Sequence, residues 1–178
     1  MSVVDDLESL GSESVARGIP IIGSEKAEWL LSKVKELNPT RVLELGTANG
    51  YSGVVLGSLG ARLVTVELDS KVASEAVKNF KTFNIDVEII IGDGVEVVQR
   101  LVGEGAVFDL IFIDFAKKKY SLVFDGCLKL LRTGGFLIAD NIHFDGCKNF
   151  KQLVINSNFL DTVVVDIKDG LSFSKKMV

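Results

Sequence analysis

The sequence contains only two cysteines, Cys127 and Cys147, and a single histidine, His143. Two distant cysteines are too few for a disulfide framework or a zinc site, and Cys127 falls in an apolar helical pattern where a buried thiol is common. We therefore expect two free thiols. A lone histidine in a loop is more often a surface residue than a ligand, so His143 is left out of the catalytic set. Contact with an acceptor, or a role as an auxiliary base, stays open for it.

Long apolar runs and an excess of positive charge are also missing. No apolar stretch approaches the roughly 18 residues of a membrane span, and the first residues lack the basic start and apolar core of a signal peptide. We therefore expect a cytoplasmic protein without a membrane segment. With 20 basic and 24 acidic residues the net charge is -4, which gives no electrostatic reason to expect nucleic acid. Such binding is unsupported rather than excluded.

The length and composition fit one compact domain covering residues 1–178. An apolar content of 47% is ample for a single core, and the chain has no internal repeat or low-complexity segment. Residues 1–18, rich in serine and acidic groups, predict a short N-terminal helix or a mobile arm.

Strand-like apolar runs alternate with helical patterns through the rest of the chain. In the first of these helices apolar residues recur at three-and-four spacing, and Ser24 is available as N-cap. The predicted helices cover residues 24–37, 51–59, 70–83, 95–101, 120–131 and 148–156, and the predicted strands cover residues 41–45, 63–66, 87–91, 110–113, 136–139, 162–165 and 171–173. This order predicts an α/β fold with a mostly parallel sheet covered on both faces. Ligands bind such sheets at the carboxyl ends of the strands.

Polar and glycine residues follow the first three predicted strands. Gly46 and Gly50 let the backbone approach a ligand closely, whereas Ala48 replaces the middle glycine of the dinucleotide fingerprint. Glu67 could accept hydrogen bonds from both hydroxyls of a ribose, and Asp93 could receive the exocyclic amine of adenine. Together they predict a site for a nucleoside without phosphates. The alternative is that the glycines only form turns and the acids only cap helices.

Two carboxylates and an amide follow the next two strands. Asp114 comes after the run at residues 110–113, and Asp140 with Asn141 comes after residues 136–139. Oxygen ligands at neighbouring strand ends can point into one crevice and suit a hard cation such as Mg²⁺, leaving coordination positions for water or a chelating substrate. This pattern predicts an enzyme's metal site.

Two motifs resemble a known family. The segment Glu-Leu-Gly-Thr-Ala-Asn-Gly-Tyr-Ser at residues 44–52, with Glu67 downstream, resembles the cofactor loop and ribose-binding acid of class I S-adenosylmethionine-dependent methyltransferases. Asp114-x-x-Lys117-x-x-Tyr120, followed by Ala-Asp-Asn at residues 139–141, resembles more narrowly the metal-dependent O-methyltransferases related to catechol and caffeoyl-CoA O-methyltransferase. The likeness runs from about residue 18 to residue 175.

The resemblance implies a Rossmann-like methyltransferase fold in one domain, with a seven-stranded, mostly parallel sheet and an antiparallel final strand. It implies methyl transfer from S-adenosylmethionine to one hydroxyl of a vicinal-diol, catechol-like aromatic. It assigns the general base to Lys117, although a lysine run is more often a solvated surface, and the metal to Asp114, Asp140 and Asn141. The implied cofactor residues are Ile22, Glu44, Gly46, Tyr51, Ser52, Glu67, Asp93, Asp114 and Phe115.

The chain departs from that family in two places. Ser172 stands where the animal catechol enzymes carry an acidic residue that engages the acceptor. Only a short loop separates Asn141 from the helix at residues 148–156, which predicts an open acceptor site. The alternatives are methylation of a hydroxylated tRNA base, a non-catalytic cofactor-binding subunit and a dinucleotide oxidoreductase. A homodimer is also left open, since relatives in this family often form one.

Overall fold

A seven-stranded sheet forms the centre of the protein. The structure is a computed structural model that describes residues 3–178, so residues 1–2 of the predicted N-terminal arm lie outside the described part. The strand order is β3-β2-β1-β4-β5-β7-β6. The strands are β1 (Arg41–Leu45), β2 (Arg62–Glu67), β3 (Val87–Ile91), β4 (Phe108–Ile113), β5 (Leu131–Asp140), β6 (Leu160–Val165) and β7 (Leu171–Lys176).

Strand directions confirm the predicted sheet. All pairs among β1 to β5 are parallel, whereas β7 lies between β5 and β6 and runs antiparallel to both. The strand β5 begins five residues earlier than predicted, at Leu131 instead of Phe136. Its first half is polar and glycine-rich, and its register against β4 shifts there, so an apolar run marks only its second half.

Eight α-helices accompany the strands in the described residues. They are α1 (Val3–Asp6), α2 (Glu8–Ala16), α3 (Gly23–Leu37), α4 (Tyr51–Gly57), α5 (Ser70–Thr82), α6 (Gly94–Gly103), α7 (Tyr120–Leu130) and α8 (Lys148–Asn156). The predicted N-terminal helix or arm is thus two short helices. The predicted N-cap is wrong: Ser24 lies inside the first turn of α3, and the N-cap is Ile22, which makes no side-chain capping bond.

Two apolar cores cover the two faces of the sheet. Because side chains alternate along a strand, Leu110 and Phe112 of β4 face the core under α3, α4 and α5. Ile111 and Ile113 face the other core, which α6, α7 and α8 complete. Both faces are therefore closed, and the carboxyl edge of the sheet is left as the place for a site.

Two further expectations can be compared with the structure. Cys127 and Cys147 are buried free thiols, as predicted, and burial raises their pKa values to about 12 and about 11 respectively. Within residues 3–178, no helix combines the length and apolar character that crossing a bilayer requires.

Candidate active site

A cleft of about 330 Å³ opens at the carboxyl ends of β1 to β4. It brings together most of the residues predicted to bind the cofactor, which come from separate loops. The predicted residues on its wall are Ile22, Gly46, Tyr51, Ser52, Glu67, Asp93, Asp114, Phe115 and Lys117. Asp140 and Asn141 do not line this cleft, because they follow β5 one strand further along.

The loop after β1 turns tightly against its neighbours. Gly46 has φ +105°, and a Cβ there would collide with the backbone carbonyl of Asp114. Ala48 holds a left-handed φ of +46°, a conformation that L-residues rarely adopt. Its amide N–H donates to Glu67 Oε2 at 2.9 Å, so the acid that ends β2 braces this turn. The loop needs glycine at position 46 because two backbone segments touch there.

The third strand end contributes Asp93. Its Oδ1 accepts from the Val95 amide at 2.8 Å and caps α6, while its Oδ2 pairs with Lys119. The hydrogen bond from Lys119 holds the pKa of Asp93 below its ordinary value. Lys119 also lines the cleft, which sequence reasoning had not predicted. Asp93 therefore caps α6, as the alternative interpretation of the sequence predicts, and it also lies on the wall of the cleft.

Glu44 lies beneath the cleft instead of on its wall. It is the fourth residue of β1 and is fully buried on the side facing α4, where Ser52 Oγ donates to its Oε1 at 2.6 Å. Thr65 Oγ1 donates to Oε2 at 2.7 Å. Burial raises the pKa of Glu44 to about 8, against the opposing effect of these two hydrogen bonds. The structure thus gives Glu44 a supporting position behind Ser52, where strand alternation directs it into the core.

An aromatic side chain forms another part of the wall. The ring of Phe115 stacks on Tyr120, with centroids 5.6 Å apart and planes 9° apart, and also packs beside Gly94. Its position is therefore fixed on the side away from the cleft. This arrangement leaves a preorganised apolar surface that suits a flat ring.

Lys117 joins the cleft to a second, more open groove. It begins a 3₁₀ turn at Lys117–Lys119, and its Nζ lies 2.6 Å from Asp114 Oδ1. The groove, about 690 Å³, is lined by the same turn and by Phe144, Asp145 and Gly146. Phe144 is half exposed there. Lys117 and Lys119 both belong to the walls of the two spaces, and of these two lysines Lys117 is the one that pairs with Asp114.

Asp140 ends β5 beside Asp114. The register pairs Ile113 with Ala139, so the next residue of each strand lies at the same level of the sheet. Burial, together with the negative charge of Asp114, raises the pKa of Asp140 to about 6. A buried carboxylate whose ionisation is disfavoured by a neighbouring negative charge is a place that a cation would stabilise.

Asn141 and Asp169 extend this acidic group. Asn141 holds a left-handed φ of +58°, and its backbone N–H donates to Asp140 Oδ1 at 2.7 Å. Its side-chain Nδ2 donates to Asp169 Oδ2 at 2.5 Å. The amide oxygen of Asn141 is thereby oriented by a neighbour that precedes β7.

The donor set fits a hard divalent cation. Among residues 3–178 no three His, Cys, Asp or Glu side chains form a ready cage for a metal. The predicted set is two carboxylates and an amide, with the remaining positions open, which is how Mg²⁺ is commonly held in enzymes. The mutual charge effect of Asp114 and Asp140 is the feature of this structure that such an ion would relieve.

Sequence reasoning missed two residues of this group. Lys26 on α3 is buried and donates to both Asp140 and Asp169. A signal was present for Lys26, since it lies one turn before Leu30 on the apolar stripe of its helix. No local pattern marks Asp169 as a partner for residues so far away in the sequence.

Three residues, Ser172, His143 and Trp29, do not line the cleft. Ser172 pairs with Ala139 across β5 and β7 and is fully buried, and its Oγ has no hydrogen-bond partner within the described part of the chain. His143 Nε2 lies 2.9 Å from Asp166 Oδ1 on the surface. Trp29 of α3 packs edge-on against Phe173 of β7.

Comparisons with known proteins agree with this geometry. The O-methyltransferase family model matches residues 4–177. Catechol O-methyltransferase B of Danio rerio is 37% identical over 146 residues, covering 76% of this chain and 55% of that protein. Catechol O-methyltransferase of Niastella koreensis is 34% identical over 151 residues, covering 80% and 68%. The chain thus spans between about half and two thirds of the length of these relatives.

Solved structures show the same fold. An O-methyltransferase from Bacillus cereus in complex with SAH superposes with a TM-score of 0.87 at 24% identity, over 99% of this chain and 91% of that one. An O-methyltransferase from Streptomyces achromogenes in complex with SAM gives 0.87 at 22% identity, over 97% and 89%. Since the family model covers nearly the whole chain and the fold is that of class I methyltransferases, the chain belongs to the O-methyltransferase family.

Proposed function

We propose that this chain is an S-adenosylmethionine-dependent O-methyltransferase that uses a divalent metal, preferably Mg²⁺, and methylates one hydroxyl of a vicinal-diol aromatic acceptor. The observation that carries the proposal is the position of Lys117. Lys117 lines both the cleft and the adjoining groove, and its amine lies 2.6 Å from Asp114. Lys119 also lines both spaces, but it pairs with Asp93. A base in the position of Lys117 lies between a donor in the cleft and an acceptor in the groove. Relatives named catechol O-methyltransferase support an acceptor with adjacent hydroxyls.

In this proposal the cleft binds the methyl donor through residues that are already fixed in place. Glu67 accepts from the ribose hydroxyls, and Asp93 accepts from the adenine amine. The ring of Phe115 covers the base, while Ile22 and Tyr51 lie against the methionine part. Preorganised groups of this kind bind without the entropy cost of ordering them at each encounter.

The chemistry is an in-line substitution. The acceptor hydroxyl gives its proton to the neutral amine of Lys117. Its oxygen then bonds to the methyl carbon as the carbon–sulfur bond breaks, and the sulfonium becomes a neutral thioether. Aligning the two reactants can supply on the order of 7 to 11 kcal/mol of the barrier in well-oriented systems. General base catalysis contributes typically about 10²–10⁴-fold in addition.

Asp114, Asp140 and Asn141 would hold the metal. A bound divalent cation supplies positive charge that favours the ionised form of a neighbouring hydroxyl. Phe144, half exposed in the groove, supports an acceptor with an aromatic ring, since it offers an apolar surface beside Lys117.

The test is methyl transfer from labelled S-adenosylmethionine to a panel of catechols and caffeate derivatives, with Mg²⁺ and with EDTA. Asp140→Asn should lower the Mg²⁺-dependent rate by more than about 100-fold, since changes one shell further out already cost roughly 10–100-fold. Binding of the methyl donor should remain. Asp125→Asn on the exposed side of α7 is the matched control and should behave as the wild type.

The outcomes separate the candidate functions. Activity that EDTA abolishes supports the metal-dependent reaction. Full activity in EDTA would rule out the metal, and a protein that binds the donor but methylates no catechol would shift the acceptor to a larger molecule such as a tRNA base. A protein that binds NAD and not S-adenosylmethionine would be an oxidoreductase.

A further inference from the structure

Lys26 is a lysine in an apolar place. It lies on the buried stripe of α3 with Ala27, Leu30 and Val34, and only 1% of its surface is exposed. A charged side chain that is almost fully buried is costly unless it is paired. Here the ammonium donates to the carboxylates of Asp140 and Asp169. Burial alone would lower the pKa of Lys26, but these two hydrogen bonds outweigh it and leave the pKa above its ordinary value.

The two acids come from distant parts of the chain. Asp140 ends β5, whereas Asp169 precedes β7, and Lys26 is 114 and 143 positions away from them. Asn141 closes the group by donating its backbone N–H to Asp140 and its side-chain amide to Asp169. One ammonium, two carboxylates and one amide thus form a closed ring that ties α3 to two strand ends. We call these four residues the Lys26 ring.

The negative charges in and around the Lys26 ring explain why the protein has a buried lysine at this position. Asp114, Asp140 and Asp169 bring three carboxylates to one edge of the sheet, and the charge of Asp114 already raises the pKa of Asp140. The other nearby lysine, Lys117, pairs with Asp114. Without Lys26, Asp140 and Asp169 would share this space with no partner of opposite charge in the ring.

Lys26 and a divalent metal would draw on the same carboxylate. Asp140 Oδ1 already accepts from Lys26 and from the Asn141 amide. A fixed positive charge beside a ligand stabilises that ligand in the metal-free protein and repels a second cation. Both effects lower the affinity of the site for a metal, whereas a residue that only orients the ligands raises it.

We propose that Lys26 is an internal counter-ion of the metal site. It keeps Asp140, Asn141 and Asp169 assembled when no metal is bound, and it lowers the affinity of the site for a divalent cation. The inference rests on the metal-dependent function proposed above. A merely structural lysine would differ, because its loss would weaken metal binding by disordering the ligands.

The test measures Mn²⁺ affinity by calorimetry and the melting temperature in EDTA and in Mn²⁺, on the whole chain. Lys26→Met should bind Mn²⁺ on the order of tenfold more tightly, because a positive charge beside the ion is gone. Its melting temperature in EDTA should fall by about 10 °C, since the buried Asp140 and the partly buried Asp169 lose their partner, and Mn²⁺ should restore much of that loss.

Asp169→Asn should have the opposite sign. The substituted side chain is neutral and keeps one acceptor oxygen for the two donors Lys26 and Asn141. Lys26 then directs its charge at Asp140 and the Asn141 side chain is held less firmly, so Mn²⁺ affinity should fall roughly three- to tenfold. Lys176→Met is the matched control. Lys176 also donates two hydrogen bonds, to the carbonyls of Leu128 and Leu131, but lies away from the ring. Its loss should lower the melting temperature without changing Mn²⁺ affinity.

If Lys26→Met does not fold, the double variant Lys26→Met with Asp169→Asn replaces it. That protein should bind Mn²⁺ more tightly than Asp169→Asn alone. Equal or weaker binding, in either background, would overturn the inference. A wild type that binds no Mn²⁺ while the Lys26 variant does would support it and would count against the metal-dependent function, so the two proposals can fail separately.

Discussion

The carboxyl edge of the sheet has two halves that are built on different principles. At the ends of β1 to β3, which we call the nucleoside half, Glu67 and Asp93 accept from backbone N–H groups and glycine lets the chain turn. At the ends of β4 and β5 and before β7, which we call the charged half, Asp114, Asp140 and Asp169 pair with lysines. The nucleoside half is shaped mainly by backbone and contains one ion pair, between Asp93 and Lys119, whereas in the charged half all three carboxylates pair with lysines.

This difference assigns different tasks to the two halves. Fixed backbone geometry selects a ligand by its shape and by hydrogen bonds at set positions. Ionised groups in a partly buried place hold protons and cations, and their strength depends on every neighbouring charge. Changes in the nucleoside half should therefore affect donor binding, and changes in the charged half should affect the reaction rate.

The largest effect should come from Lys117→Met in the charged half. Loss of the general base should lower kcat by about 10²–10⁴-fold, while the affinity for S-adenosylmethionine should stay within about twofold. Single-turnover methyl transfer and donor titration measure the two quantities. Lys129→Met, on the exposed side of α7, is the control and should keep the wild-type rate. Equal losses of rate and donor affinity would mean that the halves are not separable.

Gly46→Ala should break the turn of the nucleoside half at the point where it touches the backbone of Asp114. A Cβ at Gly46 would collide with the carbonyl of Asp114, and φ +105° adds backbone strain of about 1–2 kcal/mol. We expect donor affinity to fall by roughly 100-fold or more, because both effects displace the turn that borders the cleft. Donor titration by calorimetry measures it.

Gly60→Ala is the matched control for this change. Gly60 has a similar φ of +90°, but nothing lies within 4 Å of the position that a Cβ would take. It should show the strain alone, as a small loss of thermal stability with unchanged donor affinity. If both variants bind the donor equally well, the close approach at Gly46 is not what shapes the cleft.

The two halves also differ in how well the sequence predicts them. Gly46, Glu67 and Asp93 each follow an apolar run, so the rule that parallel strands present their carboxyl ends together was enough to bring them to one cleft. The fold was predictable for the same reason, since strand and helix patterns alternate along the chain. These patterns depend only on residues that are close together in the sequence.

The charged half depends on pairings that local patterns do not encode. Lys26 meets Asp169 across 143 positions, and only its place on an apolar stripe marks it as unusual. Glu44 shows a second limit. It belongs to the cofactor motif in sequence, but strand alternation turns its side chain away from the cleft and under Ser52. A motif fixes which residues are present, whereas side-chain direction follows from the parity of the strand.

Glu44 provides the smallest effect and tests whether the acid buried beneath the nucleoside half is neutral in the folded protein. Its folded pKa of about 8 lies above the ordinary 4.5, because burial disfavours the carboxylate. The neutral acid therefore stabilises the fold fully at low pH, and this contribution is lost as the pH rises toward 8. Each pH unit in that window should cost about 1.4 kcal/mol in the free energy of unfolding. Between about pH 6 and pH 7.5 the loss should reach about 2 kcal/mol.

Glu44→Gln keeps a neutral side chain at every pH, so its unfolding free energy should lack this slope in urea titrations. The side chain of Glu88 on β3 is exposed, so Glu88→Gln should retain the wild-type slope. A Glu44→Gln curve parallel to the wild type would show that Glu44 is ionised in the folded protein and that burial beneath the nucleoside half does not keep it neutral.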